Sequence, residues 1–184
     1  MKNVLIVSGH TDLNNSFANK LILEMLKEKL PNAVQTLLDS EYPDYQFDVA
    51  AEQQKLIDAD VIVLQFPFFW YGAPSLMRKW MEDVFVHGFS HGATGTKLHG
   101  KKLVLSFTSG APEEMYQEGG LQTYPIEAFL PPFKQFANLC GMEWAGHIYT
   151  GALSYISKSD EQRTEMRSRA IAHADSVVET VNAL

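Results

Sequence analysis

The sequence predicts an α/β fold, a doubly wound sheet of five parallel strands with helices on both faces. Short β-branched apolar runs alternate with longer segments of helical apolar spacing along the 184 residues. The runs are apolar at nearly every position, as in strands that are buried on both faces. Parallel strands need long crossover connections, and the helical segments supply them. We expect one domain over residues 1–184, since a domain comprises roughly 100–200 residues.

Three strands and three helices are predicted in the first half of the chain. The strands run from Val4 to Val7, from Val34 to Leu38 and from Val61 to Phe66. The first helix carries apolar residues at helical spacing and is ended by Pro31. Asp48 is the expected N-cap of a second helix that reaches about Ile57. A third helix has Pro74 in its first turn and ends near Gly88.

Two strands and two helices are predicted in the second half. The strands run from Leu103 to Phe107 and from Trp144 to Tyr149. Pro131 and Pro132 open a helix that Gly141 closes. The last helix is expected from about Asp160 to Val181, because apolar residues recur on one of its faces.

Composition and charge exclude several classes of protein. A single cysteine, Cys140, permits no intramolecular disulfide, and we expect it to be a small core residue. The net charge of −7 has the wrong sign for binding nucleic acid. The longest apolar stretch, Val61 to Ala73, is shorter than the roughly 20 residues of a membrane helix, and the N-terminus lacks the apolar region of a signal peptide. We expect a soluble, cytoplasmic protein that is not an integral membrane protein.

The loop after the first strand is suited to binding a phosphate. In an open parallel sheet, ligands bind beyond the carboxyl ends of the strands, where the winding direction reverses. The loop from Ser8 to Phe17 brings His10, Asn15 and Ser16 to that edge, next to the start of a helix. Unpaired amides and the helix dipole attract an anion there, and these side chains can donate to its oxygens. The alternative is an ordinary polar turn with Asn14 or Asn15 as the helix N-cap.

Two further loops complete the predicted site. Four consecutive aromatic residues, Phe68 to Tyr71, follow the third strand, and some of their rings must be exposed. Such rings form a wall against which a planar heteroaromatic ligand stacks, although packing on the next helix or on another subunit would also account for them. Small residues from Thr108 to Pro112 follow the fourth strand. Their amides could stabilise negative charge on a bound ring, or the segment could be a simple turn.

Four segments resemble the flavodoxin-like NAD(P)H:quinone oxidoreductases. This DT-diaphorase family includes drug-activity modulators and the flavoprotein subunits of potassium-efflux systems. The segments are GHTDLNNSF at 9–17, QFPFFWYGAPSLMRKW at 65–80, LHGKK at 98–102 and SFTSGA at 106–111. The second segment is the most diagnostic.

The resemblance implies a set of flavin contacts. The phosphate and ribityl chain are surrounded by His10, Ser16, Phe17 and Ala18, the isoalloxazine is flanked by Pro67, Phe68, Phe69, Trp70 and Tyr71, and its pyrimidine end is bonded by Thr108, Ser109, Gly110 and Ala111. Tyr116 matches a family tyrosine that lies close to the flavin and offsets charge on the reduced ring, which makes it the candidate catalytic residue. The animal enzymes have a histidine six positions later, where this chain has Gln122, so we expect no tyrosine–histidine relay.

The resemblance also implies the cofactor and the reaction. The chain lacks the long C-terminal extension that holds the adenylate of FAD in larger members, which favours FMN, with FAD as the alternative. NAD(P)H is the implied co-substrate, and a quinone or similar small electrophile takes hydride from the same place in a ping-pong reaction. The implied assembly is a homodimer. Two other functions stay open: a regulatory subunit of a potassium-efflux system, and a one-electron carrier of the flavodoxin type.

A metal site built from His87, His91 and His99 is the weakest of the functional hypotheses. The spacing of the first two would suit one face of a helix. Gly88, Ser90 and Gly92 instead favour a loop. We therefore expect no metal site.

Overall fold

The computed structural model describes residues 2–154 and 159–184, which form one sheet of five parallel strands with helices on both faces. The strands are β1 (Val4–Ser8), β2 (Val34–Leu37), β3 (Val61–Pro67), β4 (Lys102–Thr108) and β5 (Glu143–Thr150). Their order in the sheet is β2-β1-β3-β4-β5. The winding direction therefore reverses between β1 and β3, which is where such sheets bind ligands.

Six α-helices connect and cover the strands of the described chain. They are α1 (Ala18–Lys29), α2 (Leu38–Glu41), α3 (Val49–Asp58), α4 (Ser75–Val84), α5 (Pro131–Leu139) and α6 (Asp160–Ala183). Single 3₁₀ turns lie at Leu13–Asn15, Glu113–Met115 and Ile126–Phe129. None of the described helices is long and apolar enough to cross a bilayer.

The predicted fold class is confirmed, but the burial of the strands differs from expectation. β1 and β3 are buried throughout and β4 is buried from Leu103 onward, as their unbroken apolar runs predict. β2 and β5 are partly exposed, so the prediction of five fully buried strands is wrong for these two. Both lie at the edges of the sheet, where each has a neighbouring strand on one side only.

The predicted helices are confirmed with small differences at their ends. Asp48 caps α3 by accepting a hydrogen bond from the N–H of Ala51. The predicted second strand ends one residue early, because Leu38 starts the short helix α2, which the sequence analysis missed. The third predicted helix ends at Val84, short of Gly88. Cys140 is buried, as expected.

The two faces of the sheet are packed by different helices. Apolar residues of α1 and α6 cover one face, together with Ile6, Val63 and Val104. Residues of α3, α4 and α5 cover the other face, where Trp80 and Phe107 are buried. On the α1/α6 face, the three central strands carry a polar layer close to the carboxyl edge, formed by Ser8, Gln65 and Ser106, which lie in register on β1, β3 and β4.

Candidate functional site

A cavity of about 300 Å³ lies at the carboxyl edge of the sheet, across the point where the winding reverses. Loops that follow β1, β3, β4 and β5 converge on it. The cavity is lined by His10, Asn15, Ser16, Phe17, Ala18, Asn19, Pro67, Phe68, Phe69, Thr108, Ser109, Gly110, Leu153 and Ser154. Residues separated by more than a hundred positions meet there because parallel strands end at the same edge.

The β1 loop packs directly against the helix that follows β3. A Cβ added to Gly9 would lie 2.5 Å from Cβ of Met77, so only glycine permits this approach. The Gly9 N–H donates to the carbonyl of Gln65 at 2.9 Å. These contacts fix the first loop beside the third strand.

Ser16 and the start of α1 form one end of the cavity. Oγ of Ser16 accepts a hydrogen bond from the N–H of Asn19 at 3.3 Å, which leaves the hydroxyl hydrogen of Ser16 available to a ligand. The N–H groups of a first helical turn have no acceptor four residues earlier in the helix, and the dipole favours an anion there. Asn15 does not cap the helix, because the N-cap position of α1 is Phe17; the N–H and Nδ2 of Asn15 donate to the carboxylate of Asp12.

His10 presents a neutral donor at the same end. Its Nδ1 accepts the N–H of Asp12 at 3.0 Å, so a neutral ring carries its proton on Nε2. Burial lowers the pKa of His10 below its usual value, against the opposing effect of the carboxylates of Asp39 and Asp12. The ring is therefore uncharged at neutral pH and has an N–H to donate.

The aromatic loop after β3 forms a tight turn with strained backbone. The Gly72 N–H donates to the carbonyl of Phe69 at 3.2 Å, and the residues between them, Trp70 and Tyr71, have φ of 47° and 65°. Bulky side chains rarely adopt positive φ, and such strain is concentrated at functional sites. The turn leaves Trp70 93% exposed, while Phe69 faces the cavity and contacts the His10 ring edge-on.

The loop after β4 is held in place by the loop after β5. The N–H of Ser109 donates to the carbonyl of Thr150 at 3.1 Å, and the N–H of Leu153 donates back to the carbonyl of Ser109 at 2.9 Å. Oγ of Ser109 donates to the carbonyl of Ala111 at 2.7 Å and accepts from the Tyr149 hydroxyl, also at 2.7 Å. This loop is therefore a rigid part of the cavity wall.

Glu113 closes the other side of that loop. Its Oε1 accepts the N–H of Gly151 at 3.1 Å and an N–H of Arg169 at 3.1 Å, which ties the loop to β5 and α6. Gly110, between these two anchors, makes no hydrogen bond within residues 2–154 and 159–184, so its N–H is free to reach a ligand.

The structure brings ten of the fourteen predicted site residues together around the cavity. Four of them do not line it: Trp70, Tyr71, Ala111 and Tyr116. Tyr116 lies beyond Phe68, with its ring centroid 6.3 Å from that of Phe68, and burial raises its pKa. Tyr71 stacks on Phe129 at 5.5 Å and donates its hydroxyl to Oε1 of Gln122 at 3.2 Å. These side chains belong to an aromatic cluster beside the cavity.

Three lining residues were missed by the sequence analysis. Leu153 and Ser154 follow β5, and that loop has no distinctive composition, although its place at the carboxyl edge would have justified its inclusion. Asn19 lies in the first turn of α1 and is buried, an unusual position for an asparagine. A polar residue on the inward face of a helix was the available signal.

The histidine segment at 87–99 is a loop and not a helix. The rings of His87 and His91 contact each other edge-on with centroids 5.7 Å apart. Within the part of the chain that the structure describes, no three histidine, cysteine, aspartate or glutamate side chains are arranged to hold a metal ion.

The donors and the wall of the cavity fit a phosphorylated flavin. Ser16, His10 and the start of α1 supply donors for a phosphate at one end. Pro67 and Phe69 provide an apolar surface for a ring. The N–H of Gly110 provides a donor at the other end, and the volume lies at the lower limit of known ligand sites, roughly 300–1,000 Å³.

Comparisons with known proteins agree with this geometry. A family model described as "Flavodoxin-like fold" matches residues 2–174. The chain is 39% identical over 167 residues to a protein of Bacillus subtilis (strain 168) named "Uncharacterized NAD(P)H oxidoreductase YrkL", and the match covers 91% of this chain and 95% of that protein. It is 37% identical to the "Glutathione-regulated potassium-efflux system ancillary protein KefG" of Cronobacter sakazakii, over 77% of this chain and 76% of that protein.

Among solved structures, the general stress protein 14 of Treponema denticola in complex with FMN superimposes with a TM-score of 0.86 at 25% identity. The superposition covers 96% of this chain and 98% of that one.

Proposed function

The chain belongs to the family of proteins with a flavodoxin-like fold, and we propose that it is an NAD(P)H oxidoreductase that binds FMN in the cavity at the carboxyl edge of its sheet. The observation that carries this proposal is the convergence of phosphate donors, an apolar wall and a free backbone N–H on one cavity. The Bacillus relative named as an NAD(P)H oxidoreductase and the FMN complex of the Treponema protein support it.

The residues of the cavity bind and orient the cofactor. FMN, when bound, supplies two-electron chemistry, in which a hydride from NAD(P)H is passed in a second half-reaction to a quinone or similar electrophile. The hydroxyl of Ser16 and Nε2–H of His10 donate to the phosphate, and the neutral state of His10 avoids a buried charge when the cavity is empty. Phe69 and Pro67 exclude water from one side of the ring.

Tyr116, in the aromatic cluster beside the cavity, is the candidate catalytic residue that the family resemblance implies. Burial raises the pKa of its hydroxyl, so the hydroxyl remains protonated at neutral pH. A protonated hydroxyl can donate a hydrogen bond to negative charge that develops in the site. The Tyr116 ring packs against Phe68 in a tilted contact and against Tyr149 edge-on, with ring centroids 6.3 and 6.0 Å apart.

Titration of FMN with the purified protein tests the cofactor site, with quenching of flavin fluorescence as the signal. Ser16→Ala removes one phosphate donor and should weaken FMN binding about tenfold. Ser159→Ala is the matched control, because Oγ of Ser159 also accepts a helix-capping N–H but lies outside the cavity lining. It should change the affinity by less than about twofold. Absence of FMN binding by the unchanged protein, or equal effects of the two variants, would contradict the proposal.

Steady-state kinetics test the proposed reaction. If NAD(P)H and the acceptor use the same place in turn, initial-rate plots at several quinone concentrations should be parallel. Converging lines would show that both substrates bind together and would rule out a shared site. Comparison of NADH with NADPH, and of FMN with FAD, in the same assay identifies the co-substrate and the cofactor.

A second function, regulation of a potassium-efflux system, is favoured by the similarity to KefG. In a regulator the bound flavin controls a transporter, whereas in an enzyme it transfers electrons between substrates. A regulator should bind FMN and co-purify with a membrane transporter. Its rate of NAD(P)H oxidation with a quinone acceptor should be far below that of an enzyme. Rapid turnover by the isolated protein would favour the enzyme.

The homodimer and the cytoplasmic location are also proposals. Exposed aromatic and apolar side chains lie on the loops near the cavity, and Trp70, Leu121 and Tyr124 are the most exposed of them. Such a patch is consistent with a subunit interface. Light scattering on the eluting protein measures the mass directly.

A further inference from the structure

A continuous series of buried hydrogen bonds leads from α6 to the cavity. We call it the polar chain, and its members are His173, Ser106, Gln65, Asn19 and Thr108. Nε2 of His173 lies 2.8 Å from Oγ of Ser106, which donates to Oε1 of Gln65. Nε2 of Gln65 donates to Oδ1 of Asn19 at 2.7 Å, and Nδ2 of Asn19 donates to Oγ1 of Thr108 at 3.1 Å. All five side chains are buried.

The polar chain has a single direction. Because the one hydroxyl hydrogen of Ser106 is given to Gln65, its oxygen must accept from His173, which places the histidine proton on Nε2. Nδ1 of His173 then accepts from the hydroxyl of Thr150 at 2.9 Å. Each amide of the chain accepts through its oxygen and donates through its nitrogen.

The polar chain ends at the cavity with the hydroxyl hydrogen of Thr108. Oγ1 of Thr108 accepts from Asn19, so its own hydrogen remains available. Within residues 2–154 and 159–184 this hydroxyl donates to no protein group, and both Thr108 and Asn19 line the cavity. The other end is closed, since both ring nitrogens of His173 are bonded and the ring is 2% exposed.

A purely structural role does not account for this arrangement. Burying several polar side chains costs desolvation free energy, which an apolar layer would avoid. The histidine ring is held neutral, because burial lowers its pKa to about 4. The polar chain is neutral and runs in one direction, and its last donor faces the ligand cavity. Such an arrangement fixes the orientation of that donor.

We propose that His173 is a positioning residue which, through Ser106, Gln65 and Asn19, holds the Thr108 hydroxyl as a hydrogen-bond donor to the flavin. This inference rests on the proposed function, since it takes FMN as the ligand of the cavity. His173 touches neither substrate nor cofactor in this arrangement. Its effect is exerted wholly through the hydrogen that Thr108 presents.

A double-mutant cycle on FMN affinity tests the proposal, with the dissociation constant measured by fluorescence quenching. Thr108→Val removes the donor while it keeps the side-chain shape, and should weaken binding about tenfold. His173→Leu removes both ring bonds and should weaken binding about fivefold in the unchanged protein. In the Thr108→Val background the same change should cost less than about twofold, because the donor is already missing.

The conservative variant and a second readout separate positioning from packing. His173→Gln can donate to Ser106 and accept from Thr150, so it should restore FMN affinity to within about twofold of the unchanged protein. The midpoint potential of the bound flavin should move in the same direction in Thr108→Val and His173→Leu and return in His173→Gln. If His173→Leu does not fold, as judged by circular dichroism, Ser106→Ala breaks the polar chain next to the histidine and takes its place in the cycle.

The outcomes distinguish failure of the positioning role from failure of the proposed function. Equal loss from His173→Leu in both backgrounds, or failure of His173→Gln to restore affinity, would show that the histidine acts by packing and overturn the inference. Unchanged affinity in both single variants would also overturn it. If the unchanged protein binds no FMN, the proposed function itself fails.

Discussion

Two polar clusters lie on opposite faces of the sheet, and they differ in whether a hydrogen-bond donor is left for a ligand. The polar chain lies under α1 and α6, carries no charge at neutral pH and ends in an unused hydrogen at the cavity. The second cluster, which we call the Glu52 cluster, consists of Glu52, Tyr42, Lys55 and Trp80 on the α3/α4 face.

In the Glu52 cluster every donor meets a protein acceptor, and Lys55 also donates to Oγ1 of Thr36 at 3.0 Å and to Oε2 of Glu41 at 2.9 Å outside the cluster. Oε1 of Glu52 accepts from the Tyr42 hydroxyl at 2.9 Å and from Nζ of Lys55 at 2.7 Å, and Oε2 accepts from Nε1 of Trp80 at 2.9 Å. None of these residues lines the cavity. A closed, charged cluster stabilises the helices that it joins, whereas an open, neutral one can present a hydrogen to a ligand. Variants of the two clusters should therefore differ in which property they change.

The largest expected effect is on stability and comes from Glu52→Ala. The carboxylate is completely buried, and its loss leaves the indole N–H and the Tyr42 hydroxyl without their acceptor. We expect the free energy of unfolding to fall by about 4 kcal/mol, since each of the two donors left without its acceptor costs roughly 1–3 kcal/mol. Urea denaturation measures it, and the exposed Glu82→Ala on the neighbouring helix α4 serves as the control.

The FMN affinity of Glu52→Ala tests whether the Glu52 cluster influences the cavity. Because no residue of the Glu52 cluster lines the cavity, the folded variant should bind FMN within about twofold of the unchanged protein. A loss of affinity as large as that of Thr108→Val would mean that the two clusters are coupled and that the contrast between them is mistaken.

The second effect is a loss of stability in acid that comes from the polar chain. Burial lowers the pKa of His173 from 6.5 to about 4, so between these values the unfolded chain binds a proton that the folded chain does not. Stability contributed by this group is complete above pH 6.5 and falls as pH decreases toward 4. The difference corresponds to about 3 kcal/mol.

Urea denaturation at pH 7 and pH 4.5 measures this loss against a variant that cannot titrate. His173→Gln keeps both hydrogen bonds but carries no titratable group, so its stability should fall less over the same interval. Carboxylates elsewhere contribute equally to both proteins and cancel in the difference. Identical losses in the two proteins would show that His173 is not held neutral in the folded state.

The sequence predicted the parts of the fold that depend on local pattern. Val4 to Val7 and Val61 to Phe66 were recognised because a strand buried on both faces needs an unbroken apolar run. The helix α2 was missed because one turn is too short to show a period, and it is the carboxylate of Glu41 that accepts the Leu37 N–H beside it. Local pattern also located the three loops of the site, since parallel strands end at one edge.

The polar chain could not have been predicted from the sequence in the same way. Its members are far apart along the sequence, with 67 positions between Ser106 and His173 and 46 between Asn19 and Gln65. Single polar residues interrupt apolar patterns at Gln65, Ser106 and His173, but nothing local shows that they meet. Their contact depends on the register between strands and on the position of α6.

The smallest expected effect is a loss of stability at alkaline pH that comes from Tyr42, the outermost aromatic residue of the Glu52 cluster. Burial and the hydrogen bond to Glu52 raise the pKa of Tyr42 from 10.0 to about 12. Between these values the unfolded chain loses a proton that the folded chain keeps, so the stability contributed by Tyr42 is complete below pH 10 and is lost as pH rises toward 12.

Tyr42→Phe removes this titration together with one bond to a carboxylate that retains two others. We expect a loss of about 1 kcal/mol at pH 7 and a shallower fall in stability above pH 10 than in the unchanged protein. Tyr45→Phe is the matched control, because among the described residues the Tyr45 hydroxyl bonds only to Ser75, at the surface. Tyr149, whose pKa is also raised to about 12, is present in all three proteins and cancels. Equally steep falls in stability above pH 10 in Tyr42→Phe and in the unchanged protein would contradict the raised pKa of Tyr42.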